Sequence, residues 1–243
     1  MIQWLVIGVF LVIVYCIICR PRTSPFRRGD RVLLVTAHPD DECMFFGPTL
    51  CHLSDHKIPV KVVCLSTGTE CLVLDFSVNF DLGNFRGQGD QRVKELAKAI
   101  AVYNGPSHAC LDEFRDGPFG WEPSRIREVI TDQVRDFRAS VIVTFDDYGV
   151  SGHKNHKSCS ILGRDEQTAG VRVLYLESVP LFRKFTATMD LMATSMCAQS
   201  FVVAGSWRSI RAMMCHKTQL EWFRLLYIFF SRYMTINSFR VRT

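Results

Sequence analysis

The stretch RVLLVTAHPDDECMFFGPTL, residues 31–50, limits the possible folds more than any other part of the chain. Val32, Leu33, Leu34 and Val35 read as a buried strand, and Met44, Phe45 and Leu50 fit the apolar face of a following helix. Between them stand His38, Pro39, Asp40, Asp41 and Glu42. In an open α/β sheet, ligands bind in the crevice outside the carboxyl ends of the strands, which is where this polar cluster falls. Pro39 fixes φ where the chain must turn, so His38, Asp40 and Asp41 are expected on a short, stiff loop.

The remainder alternates in the same way. Residues 60–65 (VKVVCL) predict a second strand. Residues 88–103 predict a helix with Val93, Leu96, Ala97, Ile100 and Ala101 on its apolar face and Arg92 and Glu95 as an exposed pair. Residues 108–111, 141–145 (VIVTF) and 172–179 read as further strands, and 124–137 as an amphipathic helix with Ile126, Val129, Ile130, Val134 and Phe137 inward. Strands alternating with helices imply βαβ units, hence an α/β fold: a Rossmann-like open, mostly parallel sheet with helices on both faces. A second polar cluster, DDYGVSGHKNHKS at residues 146–158, again follows a strand. His153 and His156 are i, i+3 at a helix start and can share a face. That spacing alone says little, but beside the first cluster it completes a site. His52 and His56 read as a solvated helix end, and His108 and His216 as isolated.

At 243 residues the chain fits one α/β domain. Its net charge of +5 is modest and dispersed, with no basic patch interleaved by aromatics, which argues against nucleic acid as a partner. Ten cysteines without framework spacing read as free thiols in a reducing compartment. Residues 2–19 carry no charge and as a helix would reach roughly 27 Å, against a hydrocarbon core of about 30 Å. They are expected to form a single transmembrane anchor. Arg20, Arg22, Arg27, Arg28 and Arg31 all follow it, which by the positive-inside rule leaves the rest of the chain cytosolic. Residues 20–29 form a linker, and 30–243 the globular domain. The aromatic and basic tail, 220–241, reads either as a core helix or as a helix at the membrane interface.

AHPDDE together with GVSGHKNH resembles the LmbE-like deacetylases. More narrowly, TAHPDDECMFFGPTL, GNFRGQGDQRVKEL, VTFDDYGVSGHKNH and CHKTQLEWFRLLYIFFSRYMTINS are similar to the eukaryotic PIG-L branch, the N-acetylglucosaminyl-phosphatidylinositol de-N-acetylases of glycosylphosphatidylinositol-anchor synthesis. The resemblance implies dependence on Zn2+ or another divalent metal, with His38, Asp41 and His156 as ligands. It further implies Asp40 as general base, His153 as the residue that stabilises or protonates the intermediate, and Arg92 and Asp116 as substrate contacts, with Glu42 in support. It also implies a glycolipid substrate, N-acetylglucosaminyl-phosphatidylinositol, at the endoplasmic reticulum membrane. Two histidines and one carboxylate form the donor set of a catalytic zinc site, which keeps a position open for water.

Residues 69–83 interrupt the family pattern between LSTG and NFRGQGDQRVKEL. Two alternatives therefore stay open: a soluble N-acetyl sugar conjugate as substrate, or a membrane scaffold whose site the insertion has disabled. A nucleotide-binding enzyme is disfavoured, since neither a GxGxxG nor a Walker lysine follows the first strand.

Overall fold

A computed structural model describes residues 24–68, 88–163 and 170–242. The expected anchor at 2–19, the insertion at 69–83 and the linker's first residues, 20–23, lie outside the described residues. Among those described, no helix is long and apolar enough to cross a membrane.

One seven-stranded sheet is described: β1 (Val32–Thr36), β2 (Val60–Cys64), β3 (Ser107–Cys110), β4 (Val141–Phe145), β5 (Arg172–Leu176), β6 (Ser200–Val203) and β7 (Ile236–Arg242). Its order is β3-β2-β1-β4-β5-β7-β6, with β1 to β5 mutually parallel and β7 antiparallel to both its neighbours. The helices that matter for the site are α1 (Asp41–Met44), α2 (Gly47–Asp55), α3 (Gly89–Ala101), α4 (Pro123–Phe137), α5 (Lys154–Cys159), α6 (Ser206–Met213) and α7 (Trp222–Phe230).

β1 lies inside the sheet, Val32 pairing with Val60 on one side and Val141 on the other. Every residue of β1 and β4 is buried. A parallel strand covered on both faces must be apolar throughout rather than alternating, and burying each Val, Leu or Ile contributes roughly 1.5–3 kcal/mol. Chain order reverses between β1 and β4, so both polar clusters emerge at one topological switch point, where the sheet opens a crevice.

Two parts differ from the sequence reading. The tail is a helix only to Phe230, after which it enters the sheet as β7 beside β6. No strand was anticipated at either place, because polar residues are buried in the ladder and hide its period. Asn237 is fully buried yet satisfied, accepting from the Thr49 hydroxyl at 2.6 Å and donating to the Phe45 carbonyl at 2.7 Å.

The inward face of α3 is also rotated. Arg92 and Glu95, expected exposed, are 3% and 2% exposed and share the buried stripe with Leu96, Ala99 and Ile100. Each has a reason to be inside: Arg92 donates to the carbonyls of Gly68 and Pro39, and Glu95 accepts from the Thr218 hydroxyl at 2.6 Å. Every cysteine among the described residues is free, as expected.

Candidate active site

The β1–α1 turn is folded around Asp41. Its Oδ2 accepts the backbone N–H groups of Ala37 at 3.0 Å and His38 at 2.9 Å, which leaves Oδ1 facing His156 Nε2 at 3.3 Å. Burial pushes the Asp41 carboxyl upward, but the charge and hydrogen bond of His156, then His38, hold it well below the usual carboxylate range.

The β4–α5 turn supplies the imidazoles. A carbonyl can only accept, so His156 Nδ1 donates to Gly149 O at 3.1 Å, which turns Nε2 toward Asp41 Oδ1. Burial lowers the affinity of His156 for a proton, and the neighbouring Asp41 more than offsets it, so its pKa is raised. The Phe145 ring stacks flat on His156, centroids 4.3 Å apart at 3°, and fixes its plane. Gly149, at φ +66°, permits this approach: a Cβ there would stand 2.6 Å from the Cβ of His156.

His153 caps α5, its Nδ1 accepting the Asn155 N–H at 3.3 Å. Burial first, then the neighbouring His38 and His156, push it down to about 4, so it is neutral at physiological pH. His38 closes the group. Its Nε2 lies 3.1 Å from Asp116 Oδ1 and 3.0 Å from Asn155 Nδ2, and its Nδ1 lies 3.8 Å from Asp41 Oδ2.

Four of the expected residues, His38, Asp41, His153 and His156, therefore converge with Asp116, while the Asp40 carboxylate is turned to Arg224. His38, His153 and His156 each offer a nitrogen within 4.8 Å of the others, and the Asp41 carboxylate lies against His38 and His156. Nitrogen and carboxylate donors in a buried, preorganised set suit a zinc-type ion. Asn155 Oδ1, also buried, has no hydrogen-bond partner among the described residues, which leaves it open to a group the chain does not supply. The expectation of His153 off the metal receives no geometric preference here, since its ring stands as near as the others.

Asp40 differs from its neighbour. Its backbone is held at φ 117°, its N–H donates to Glu42 Oε2 at 2.9 Å, and its Oδ2 meets Arg224 Nη1. Arg92 braces the loop, its Nη2 donating to Pro39 O and its Nη1 to Gly68 O, both at 3.2 Å. Asp116 lies on the histidine cluster, and the charge and hydrogen bond of His38 outweigh burial to hold it at about 2.

Asn155, His216 and Arg224 were missed from the sequence. His216, taken there as isolated, is fully buried with Nε2 at 2.7 Å from Glu42 Oε1. A signal existed: His216 and Arg224 both fall in the tail motif CHKTQLEWFR. His52 and His56 stack on each other at the far end of α2.

The fold is that of known deacetylases. It superposes on N,N'-diacetylchitobiose deacetylase from Pyrococcus horikoshii with a TM-score of 0.64 at 17% identity, covering 97% of this chain and 92% of that one. Fold likeness at this identity does not assign an activity; sequence likeness goes further. The model of the PIG-L family, described as GlcNAc-PI de-N-acetylase, matches residues 33–165. The N-acetylglucosaminyl-phosphatidylinositol de-N-acetylase of Bos taurus is 38% identical, over 86% of this chain and 83% of the relative. A probable enzyme of the same name from Schizosaccharomyces pombe is 33% identical, over 88% of each. The chain belongs to the PIG-L family of de-N-acetylases.

Proposed function

We propose that this chain hydrolyses the N-acetyl group of N-acetylglucosaminyl-phosphatidylinositol, releasing acetate and a free glucosamine amine, as the deacetylase step of glycosylphosphatidylinositol-anchor synthesis. The observation that carries the reading is the convergence of His38, His153 and His156 at the sheet's switch point, with the Asp41 carboxylate against His38 and His156. His38, Asp41 and His156 would hold a divalent ion, zinc or another, and such an ion when bound polarises the amide carbonyl and acidifies water.

The chain's own groups do the rest. Asp40 accepts the proton of the attacking water, and the N–H from Asp40 to Glu42 fixes the loop that presents it. His153, neutral and partly open to solvent, keeps its Nε2–H free of the Asn155 N–H that Nδ1 accepts, so it can hydrogen-bond a developing oxyanion, while the proton that Asp40 took from water passes on to the departing amine. Asp116 and Asn155 hold the His38 ring. Arg92 and Asp116 stay assigned to the sugar's surroundings, Arg92 through the carbonyls it braces.

The reading extends to location: a single pass through residues 2–19 with the domain on the cytosolic face of the endoplasmic reticulum. A lipid substrate suits the exposed apolar residues of α7, among them Trp222 at 72% and Phe229 at 70%. The deciding experiment measures acetate released from N-acetylglucosaminyl-phosphatidylinositol with and without chelator. Release abolished by chelator and restored by Zn2+ is expected; no release from the metal-loaded chain overturns the reading.

A further inference from the structure

Beneath the catalytic loop lies a second cluster of chemistry-bearing side chains, Glu42, Cys43 and His216, fully buried and close enough together to ligate an ion. Their atoms are already committed. Glu42 Oε2 accepts the Asp40 N–H at 2.9 Å, and Oε1 accepts His216 Nε2–H at 2.7 Å. Burial foremost, with Glu42 beside it, raises the Cys43 thiol well above its usual range, so it is no thiolate, and its Sγ–H reaches the Asp40 carbonyl at 3.2 Å. The cluster is a hydrogen-bond relay, and it ends on Asp40.

That end point matters because of the backbone there. At φ 117° Asp40 occupies a region that side chains rarely adopt, and such strain, of order 1–3 kcal/mol, persists only where surroundings over-determine it. The clamp on Asp40 consists of the Glu42 carboxylate on its N–H, and the other oxygen of that carboxylate is oriented by His216. We propose that His216, resting on the deacetylase reading above, is a positioning residue of the reaction: it holds Glu42, and Glu42 holds Asp40 in the geometry from which its carboxylate serves as base.

The surrounding contacts point the same way. Two residues on, Thr218 binds Glu95 of α3, whose neighbour Arg92 braces the Pro39 carbonyl; at Arg224 the same segment meets the Asp40 carboxylate itself. His216, Thr218 and Arg224 all lie beyond residue 165, where the family match ends. The loop that carries the motif is thus completed by a segment far along the chain.

Two polar substitutions of similar size separate this role from a merely structural one. A Gln amide nitrogen falls near the position of Nε2, whereas an Asn amide nitrogen falls near Nδ1 and cannot reach Glu42. In the full chain, His216→Asn is expected to keep its metal and its KM while kcat falls roughly 10–100-fold, the usual consequence of a misplaced catalytic group. His216→Gln should recover most of that loss. Amide hydrogen exchange at Asp40 provides a readout independent of turnover: slow in the parent and in His216→Gln, fast in His216→Asn. Equal kcat in the two variants, or equal protection of the Asp40 amide, overturns the proposal. So does a His216→Asn chain that fails to fold or loses metal, because His216 would then serve stability. Should the parent release no acetate, the deacetylase reading fails, and the exchange measurement still decides the role of His216.

Discussion

The guanidinium of Arg224 lies against the carboxylate of Asp40, joining residues 184 positions apart. The contact brings a helix of the tail to the adjacent-aspartate motif of the first crossover, and it distinguishes two acids that the sequence presents side by side. Asp41 faces imidazoles; Asp40 faces a permanently charged fork.

The pair is largely buried, with side-chain exposures of 21% for Arg224 and 4% for Asp40. Removing one member of such a pair leaves an uncompensated charge, so Arg224→Ala should destabilise by about 3 kcal/mol, the low end of the range because the arginine keeps some solvent. Adding Asp40→Asn removes the stranded charge and should recover part of that loss. Urea denaturation of the four chains gives the coupling energy directly. Coupling near zero would show that the pair contributes nothing.

Asp41→Ala should lose bound metal together with activity, since Asp41 Oδ1 faces His156 Nε2 and its partner oxygen is spent on the turn. Asp40→Asn nearly preserves shape and should keep the metal, while turnover falls on the order of 10²–10⁴-fold with the general base gone. Zinc per chain, measured beside acetate release, checks both. Metal lost from Asp40→Asn and retained by Asp41→Ala would reverse the two roles.

At Gly149 the prediction concerns shape alone. The residue sits at φ +66°, and an added Cβ would stand 2.6 Å from the His156 Cβ, with backbone at 3.1 Å behind it. Gly149→Ala should therefore displace His156, weaken metal retention and lower turnover by roughly tenfold or more, with folding largely preserved. A variant with parental metal affinity and turnover would show that the turn can yield.

Much of this was legible in the residues. The apolar run of β1 breaking at His38 announced both strand and site, and the HxxH of residues 153–156 was found because it too followed an apolar strand. Local pattern could not show where side chains from distant segments meet. Arg92 and Glu95 read as an exposed pair because their partners, Pro39 O and Thr218, are 53 and 123 positions away. His216 read as isolated for the same reason, its partner Glu42 lying 174 positions off. The buried amide of Asn237 broke the apolar alternation by which β7 might have been read as a strand. Charged and polar groups go inside where a remote partner satisfies them, and such partners are set by topology rather than by neighbours in sequence.

The final prediction concerns the membrane. Residues 2–19 are uncharged and the arginines at 20, 22, 27, 28 and 31 follow them, so the domain should face the cytosol. Helix α7 supplies an independent reason to expect contact with the bilayer: Trp222, Phe223, Leu226, Phe229 and Phe230 are all exposed on nine residues of helix. An exposed aromatic and aliphatic surface of this kind suits the interfacial zone. The same helix places Arg224 on Asp40 and Tyr227 against Phe45, whose ring touches His156, so a bilayer under α7 would lie beside the site. In sealed microsomes, protease added outside should digest the domain without detergent. Trp222→Ser combined with Phe229→Ser should slow acetate release from bilayer-embedded glycolipid while sparing release from a water-soluble headgroup analogue. Survival of the domain until detergent is added would reverse the orientation, and equal loss on both substrates would show that the two side chains act on folding rather than on the membrane.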